Sequence, residues 1–378
     1  MIRQEKLVEE FMELVQVDSE TKHEQEISGV LKRKFEALGL HVFEDDAAEK
    51  TGHGAGNLIA TLEASAGVSA DIPTIFFTSH MDTVTPGKGI KPRIEDGIIR
   101  SDGTTILGSD DKAGLAAMFE AIRALREHNL PHGKVQFVIT VGEESGLVGA
   151  RAMDPNHMEA KFGYALDSNG DIGDICVAAP TQARIQMTIT GKSAHAGVNP
   201  EDGISAIQVA GKAISRMQLG RIDKETTANI GKFEGGGATN IVCDKATLYA
   251  EARSIVQDKL DRQIESMREA LHAAAKEYGA QAEFNSEVIY PAFNYDDSAP
   301  VVMTAMNAIR SIGRTPRTFP SGGGSDANIF NGMGIPTVNL AVGYEHIHTT
   351  KEQIAVADLV KTAELVVAII QEVAGASK

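Results

Sequence analysis

Three observations predict an α/β protein of two domains. The chain has 378 residues, which is enough for two domains of about 150 residues each. Short apolar strands alternate with helices in its first and last parts, a pattern typical of an α/β layered domain. Between residues 181 and 293, apolar and polar residues alternate strictly, which is typical of a sheet with one face in water.

Composition and charge indicate a soluble globular protein and disfavour two classes of partner. Hydrophobic residues make up 42% of the chain and charged residues 23%, close to the averages for soluble proteins. The formal charge of −16 repels phosphate backbones and anionic lipids, so we expect no binding to nucleic acid or membranes. The N-terminal segment is charged, unlike a signal peptide, and no apolar run reaches the roughly 18 residues that span a bilayer. We therefore expect a cytoplasmic protein.

The first domain is predicted to combine residues 1–180 and 294–378. It opens with two helices: one carries Leu7, Phe11 and Leu14 at helical spacing, and the next follows a capping box formed by Thr21 and Glu24. Further elements are predicted as strands at 58–62, 74–79, 98–100, 135–141 and 337–340 and helices at 112–127, from 301 and at the C-terminus.

The second domain, residues 181–293, is predicted to be an insertion into the first. Ile185, Met187 and Ile189 alternate with polar residues and predict a strand with one buried face. The other predicted elements are helices at 204–217 and 259–277 and strands at 228–233, 246–254 and 282–290. Two helices on one face of an antiparallel sheet make an α+β sandwich.

Acidic residues and histidines of the first domain follow several of its strands, where the sites of α/β sheets usually lie. The motifs H-E-x-x-H, Cys-x-x-Cys and G-x-x-x-x-G-K-[ST] are absent from the sequence, which disfavours the enzyme classes that use them. Singly, each candidate has a plain alternative, such as an exposed strand end or a helix cap. The candidates are His80 with Asp82, Asp110 with Asp111, Glu143 with Glu144, Asp167, and His346 with His348.

Together these residues indicate a site for two metal ions. Binuclear hydrolases hold their ions about 3.5 to 4 Å apart. Mixed histidine and carboxylate ligation favours Zn²⁺, two per subunit, although Co²⁺ or Mn²⁺ would also fit. The negative charges of three carboxylates and one bridging hydroxide balance the positive charges of two divalent cations, and two neutral imidazoles complete the ligands. The residues are His80, His348, Asp110, Glu144 and Asp167.

Four motifs resemble the di-zinc exopeptidases of the peptidase T group: H-M-D at 80–82, G-S-D-D-K-A-G at 108–114, G-E-E-S-G at 142–146 and H-T-T-K-E at 348–352. Their order and spacing and the inserted domain are similar too, along nearly the whole chain. The wider superfamily includes tripeptidases, glutamate carboxypeptidases, aminoacylases and succinyl-diaminopimelate desuccinylase. The resemblance implies a catalytic domain with a mixed sheet flanked by helices, and an inserted lid and dimerisation domain.

The resemblance also implies how the ligands are shared. It selects His348 over His346, because His348 precedes Glu352 by four residues, as the family's ligand precedes its glutamate. It implies a cis peptide bond between Asp110 and Asp111. The implied arrangement has Asp110 bridging both ions, His80 and Asp167 completing one site, and Glu144 and His348 completing the other.

Two further residues are implied in catalysis. By the resemblance, Glu143 is the general base, which takes a proton from the metal-bridging water and later passes it to the leaving amine. Asp82 lies two residues from His80 on an extended segment, so its carboxylate can hold the imidazole in one tautomer.

Candidate substrate contacts lie mainly in the inserted domain. His195 resembles the family's lid histidine, which reaches the oxyanion, often across a dimer interface. Asn240 and Arg253 resemble residues that hold a substrate carboxylate or backbone, and Gly323 and Gly324 resemble a loop whose amides approach the ligand. Without the resemblance, these residues are a loop histidine, a surface salt-bridge partner and a flexible turn.

The sequence thus predicts a zinc-dependent exopeptidase that hydrolyses short peptides, of the aminotripeptidase type. The alternative is an N-acyl-amino-acid amidohydrolase or carboxypeptidase with the same site, and dedicated tripeptidases of this group differ around residues 344–348. An inactive binding protein is disfavoured because every ligand and Glu143 are retained. We also expect a homodimer through the inserted domain, since an exposed sheet edge can pair with a second copy.

Overall fold

The computed structural model describes residues 1–375, which pack into two compact units. The first unit contains Met1–Ala178, Tyr295–Ser321 and the chain from Ser325 onward. The second contains Ala179–Asn294 together with Gly322–Gly324. Within residues 1–375, every helix is too short or too polar to cross a membrane.

Helices of the first unit cover both faces of its large sheet. They are α1 (Gln4–Val15), α2 (Gln25–Ala37), α3 (Ala47–Thr51), α4 (Ser109–Glu127), α5 (Val148–Ala152), α8 (Pro300–Ser311), α9 (Asp326–Gly332) and α10 (Val356–Val373), with a 3₁₀ turn at Pro155–His157.

The capping box predicted for α2 is wrong. The helix begins at Gln25 without a side-chain cap. The carboxylate of Glu24 accepts the N–H groups of Lys22 and Gly54, both at 2.8 Å. The hydroxyl of Thr21 donates to Ser145 at 3.2 Å. Both predicted capping side chains are therefore engaged in contacts outside the helix.

The large sheet is mixed, and its strands follow the order β1-β2-β6-β3-β7-β16-β8. Strand β3 is parallel to β6 and β7, and β16 is parallel to β7 but antiparallel to β8. The strands are β1 (His41–Glu44), β2 (Leu58–Leu62), β3 (Ile75–His80), β6 (Val135–Thr140), β7 (Phe162–Ser168), β8 (Asp174–Ala179), β16 (Thr337–Ala341) and β15 (Arg317–Pro320), which pairs with β8.

The core of the first unit explains why its central strands are continuously apolar. Successive side chains of β3 point to opposite faces. Phe77 packs in the cluster that includes Phe119 of α4, whereas Phe76 contacts Phe330 of α9 with ring centroids 4.7 Å apart. Because helices cover both faces, the strand has no wet side. The predicted mixed sheet flanked by helices is confirmed.

A small sheet of the first unit holds the segment that contains His348. Its strands follow the order β17-β18-β5-β4. The segment forms the connection between β17 and β18, and is therefore anchored at both ends. The bounds are β4 (Arg93–Glu95), β5 (Ile98–Arg100), β17 (Tyr344–Glu345) and β18 (Gln353–Ala355).

The second unit is an antiparallel sheet with two long helices. The order β10-β11-β12-β9-β13 leaves β13 at one edge. Ile185, Met187 and Ile189 of β9 are fully buried and alternate with more exposed residues. The elements are β9 (Thr181–Thr190), α6 (Ala206–Arg216), β10 (Gly220–Arg221), β11 (Thr226–Gly235), β12 (Lys245–Ser254), α7 (Gln257–Tyr278), β13 (Gln281–Tyr290), β14 (Phe293–Asn294) and a 3₁₀ turn at Pro200–Asp202.

Candidate metal centre

The candidate site lies where strands of the large sheet end. Strand β3 runs parallel to both β6 and β7. His80 at the end of β3 pairs with Thr140 at the end of β6. The carboxyl ends of parallel strands meet at one edge, where ligand sites form. His80 is the last residue of β3, Glu143 and Glu144 follow β6, and Asp167 lies near the end of β7.

Asp110 is presented by the first residues of α4. The peptide bond from Asp110 to Asp111 is cis, as the resemblance implies. Both residues have non-helical backbone angles, with ψ of 100° and 38°. The buried carboxylate of Glu352 holds this loop through four hydrogen bonds. The donors are the N–H groups of Leu107 (2.8 Å), Gly108 (2.9 Å) and Asp110 (3.0 Å) and the hydroxyl of Ser109 (2.7 Å).

Two histidines face the two oxygens of the Asp110 carboxylate. The Nε2 atom of His80 lies 3.1 Å from Oδ1, and that of His348 lies 3.2 Å from Oδ2. His80 is also 3.8 Å from Asp167, and His348 is 2.9 Å from Glu144. Two groups of three residues each offer ligand atoms that lie within 4.8 Å of one another: His80, Asp110 and Asp167 form one group, and Asp110, Glu144 and His348 form the other. The structure thus brings together all five predicted ligands, with Asp110 common to both groups.

The protonation of these groups fits a site built for cations. Burial alone lowers the pKa of His80, but hydrogen bonds to Asp110 and Asp82 outweigh it and hold this pKa well above its ordinary value. Hydrogen bonds to Asp110 and Glu144 raise the pKa of His348 to about 10. Protons on the imidazoles therefore neutralise the carboxylates, and divalent cations bound at the same nitrogens would replace them. The residues fit two such ions.

Asp82 contacts both the imidazole and the paired glutamates. The main-chain carbonyl of Asp82 lies 2.9 Å from Nδ1 of His80, and the carboxylate, which we expected to make this contact, lies 3.5 Å away. The carboxylate accepts the N–H groups of Glu143 and Glu144 at 3.0 and 3.3 Å. Asp82 therefore fixes the loop after β6 as well as the ring of His80.

Glu143 lies beside the ligands at the end of β6. Its carboxylate lies within 4.8 Å of ligand atoms of His80 and Glu144. Burial raises the pKa of Glu143, and although His80 opposes this effect, the carboxylates of Asp326 and Glu144 add to it, so the pKa lies well above its ordinary value. Its position beside the ligands would allow this carboxyl group to exchange a proton with a molecule bound there.

The structure distinguishes His348 from His346 as a candidate metal ligand. Both His346 and His348 have positive φ, 56° and 62°. Among residues 1–375, His348 belongs to a cluster of potential ligands and His346 belongs to none. The carbonyl of His346 instead accepts the hydroxyl of Thr349 at 2.7 Å, which shapes the turn toward Glu352.

In the second unit, His195 and Asn240 lie on adjacent segments. The N–H of Ala196 donates to the carbonyl of Asn240 at 2.9 Å, and the side chains of His195 and Asn240 are exposed. Within that unit the two residues are therefore neighbours with side chains accessible to a ligand.

Arg253 and the glycine segment make a separate set of contacts in the second unit. The Nε and Nη2 atoms of Arg253 donate to Glu251 at 2.8 and 3.0 Å, and Nη1 donates to the carbonyl of Gly322 at 3.4 Å. Gly323 is exposed. A Cβ at Gly324 would lie 2.3 Å from the ring of Tyr290, so close packing requires glycine there.

Two contacts of Asp167 were missed by the sequence analysis. The hydroxyl of Tyr344 donates to its carboxylate at 3.0 Å, and the side-chain amide of Asn339 binds its main chain. A further missed pair is His53 with Ser145, whose Nε2 and Oγ atoms lie 2.9 Å apart next to the paired glutamates. The only sequence signal for Tyr344 is its position four residues before His348.

A mixed sheet whose strand ends gather two overlapping histidine and carboxylate groups is the arrangement expected of a metal-dependent hydrolase. Comparison with known proteins narrows this class. The model of Peptidase family M20/M25/M40 matches residues 76–372. The protein YqjE of Bacillus subtilis (strain 168) is 60% identical over 374 residues, which cover 99% of this chain and 100% of that protein.

Two solved structures extend the match. Aminopeptidase PepT from Bacillus cereus ATCC 10987 is 63% identical, with 99% of both chains covered and a TM-score of 0.93. A tripeptidase from Staphylococcus aureus subsp. aureus Mu50 is 50% identical, with 99% of this chain and 100% of the other covered and a TM-score of 0.95. This chain belongs to Peptidase family M20/M25/M40. It is a metal-dependent enzyme that hydrolyses peptide bonds, and its resemblance to the peptidase T group is confirmed.

Proposed function

We propose that this protein is an aminotripeptidase-type exopeptidase, which acts on short peptides with a free amino terminus and uses two zinc ions. The observation that carries the proposal is the Asp110 carboxylate, whose two oxygens face Nε2 atoms of two different histidines. The names of two similar proteins, an aminopeptidase and a tripeptidase, support the substrate class. The proposed ligands are His80, Asp110, Glu144, Asp167 and His348, which would also accept Co²⁺ or Mn²⁺.

The proposed mechanism assigns proton transfer to Glu143. Bound zinc would polarise the scissile carbonyl and lower the pKa of the attacking water. Glu143, whose carboxylate lies within 4.8 Å of ligand atoms of His80 and Glu144, takes the water proton and delivers it to the leaving amine. Asp82 keeps Glu143 in place through the N–H group that its carboxylate accepts. His195, of the same or the partner subunit, is proposed to donate a hydrogen bond to the developing oxyanion.

The contacts of Arg253 count against this side chain as an anchor for a substrate carboxylate. An N-acyl-amino-acid amidohydrolase or carboxypeptidase with this site would need an anchor for a free substrate carboxylate, for which Arg253 and Asn240 are the candidates. Two nitrogens of Arg253 already bind Glu251, so less of the guanidinium fork remains for a second carboxylate. Gly323 and Gly324 are proposed to offer main-chain groups to the peptide.

We further propose a cytoplasmic homodimer formed through the second unit. Strand β13 ends the order of that unit's sheet, and Val288 on it is 53% exposed. A sheet edge with apolar side chains can pair with another copy. Cys176 and Cys243 are free thiols, which agrees with a reducing compartment. A monomeric mass in solution would refute the dimer.

Hydrolysis of a matched substrate panel by the zinc-loaded protein tests this proposal. The panel contains free tripeptides, dipeptides, N-acetyl amino acids and peptides blocked at either end. Glu143→Ala is the control, because it removes the proposed base without removing a proposed ligand. We expect the control to bind zinc as the wild type does and to be slower by about 10²- to 10⁴-fold.

Three outcomes separate the candidate functions. Cleavage that requires a free amino terminus, with tripeptides preferred, supports the proposal. Cleavage of acylated substrates that requires a free carboxylate would replace it with the amidohydrolase or carboxypeptidase function. Zinc binding without hydrolysis of any substrate in the panel would refute the proposed exopeptidase activity.

A further inference from the structure

Strand β7 is irregular where it carries Asp167. In its pairing with β16, Ala165 lies opposite Asn339 and Ser168 lies opposite Ala341. Strand β7 therefore advances three residues where β16 advances two, which is a β-bulge. A bulge interrupts the ladder hydrogen bonds and changes the direction of the local side chains. Asp167 lies within this bulge, so its orientation depends on contacts outside the regular ladder.

The side chain of Asn339 supplies the backbone hydrogen bonds at the bulge. Its Oδ1 accepts the N–H of Asp167 at 2.9 Å, and its Nδ2 donates to the carbonyl of Asp167 at 2.6 Å. Nδ2 also donates to the hydroxyl of Ser325 at 3.1 Å. Asn339 is buried, and one amide thus holds the main chain of Asp167 on both sides.

Tyr344 acts on the carboxylate of the same residue. Its hydroxyl donates to Oδ1 of Asp167 at 3.0 Å, and its side chain is buried. The same oxygen is the one 3.8 Å from Nε2 of His80. A hydrogen bond to a carboxylate is charge-assisted and directional, so the phenol fixes the plane in which the carboxylate faces the histidine.

We propose that Tyr344 and Asn339 are positioning residues that hold Asp167 in the orientation of a metal ligand. This inference rests on the proposed function, in which the site binds two ions. Each of the two residues contacts Asp167 and acts through it. The loss of such an outer partner lowers metal affinity by about 10- to 100-fold. Their effect falls on the ion shared by His80, Asp110 and Asp167.

The test measures zinc affinities by titration against a competing chelator, independently of activity. Tyr344→Phe removes the hydroxyl and keeps the ring. The matched control is Tyr164→Phe on β7, the strand that carries Asp167, because the buried hydroxyl of Tyr164 also makes a 3.0 Å hydrogen bond, but to the carbonyl of Val301. We expect Tyr344→Phe to weaken one of two ions by about 10- to 100-fold with the other unchanged, and the control to match the wild type.

The outcomes distinguish this inference from the proposed function. A wild-type protein that binds no zinc would refute the proposed metal centre itself. Two wild-type ions with unchanged affinities in Tyr344→Phe would overturn only the positioning role, and so would equal weakening in Tyr164→Phe. Asn339→Ala is the second variant: weakening of the same single ion supports the proposal, and weakening of both ions or of neither contradicts it.

Discussion

The carboxylate of Glu352 accepts the main-chain N–H of Asp110 at 3.0 Å. Glu352 lies at the end of the turn that begins with His348, so one side chain joins the segments that supply two proposed ligands. Each of its oxygens accepts two hydrogen bonds, one pair from Leu107 and Gly108 and the other from Ser109 and Asp110. A glutamine at this position would replace one of the two accepting oxygens with an NH₂ group, which donates hydrogen bonds and cannot accept them. One pair of donors would then lose its acceptor.

Glu352→Gln is therefore expected to destabilise the protein and weaken zinc binding. Buried donors left without an acceptor each cost about 1–3 kcal/mol, so the free energy of unfolding of the metal-free protein should fall by at least about this amount. Urea unfolding measures it. The control is Glu36→Gln on exposed α2 surface, which should leave stability unchanged. Equal stabilities of the two variants would contradict this role of Glu352.

Zinc binding is expected to release protons at neutral pH. The pKa of His348 is raised to about 10 by Asp110 and Glu144, so the metal-free imidazole keeps its proton until the pH rises through that value. A metal ion binds the neutral ring, hence the proton must leave, and affinity should fall as the pH falls. Calorimetric titration in two buffers with different ionisation enthalpies measures the release. Identical heats in both buffers would contradict the prediction, and His348→Ala should release fewer protons.

Apolar runs flanked by polar loops allowed some of the strands, but not all, to be predicted from the sequence. The bounds of β2 and β5 agree with those predicted, β6 differs by one residue at its C-terminal end, and β3 is shifted by one residue at both ends. Strands β1 and β4, whose residues are mostly exposed and carry no alternating pattern, were not predicted. The buried strands β7 and β8 were not predicted either. Exposed edge strands are defined by pairing with a neighbour, which composition does not encode.

The candidate site likewise contains residues that the sequence reveals and residues that it does not. Residues such as His80 and Asp110 were recognisable because metal chemistry needs their side-chain types in short motifs. Asn339 and Tyr344 are 172 and 177 positions from Asp167, and ordinary structural roles account for both residue types equally well. Their contact with Asp167 depends on the register of β16 against a bulge, which becomes visible only in the folded chain.

Gly324→Ala is expected to disrupt packing in the second unit. A Cβ at this position would lie 2.3 and 2.4 Å from two ring carbons of Tyr290 and 2.6 Å from its hydroxyl oxygen, and overpacking of this kind typically lowers stability by about 1–3 kcal/mol. Gly322→Ala is the matched control, because a Cβ there meets nothing within 4 Å. Urea unfolding should show a loss for Gly324→Ala alone. Equal effects at both positions would show that chain flexibility, rather than contact with Tyr290, determines the requirement for glycine.

The two thiols are expected to differ in reactivity. Burial raises the pKa of Cys176 to about 11, so about one thiol in a thousand is ionised in mildly alkaline buffer, and the thiolate is the reactive form. Cys243 is only partly buried. A chromogenic disulfide reagent should therefore titrate one thiol per chain in the native protein and two after unfolding. Cys243→Ala should abolish the native reaction and Cys176→Ala should preserve it; the reverse pattern would contradict the burial of Cys176.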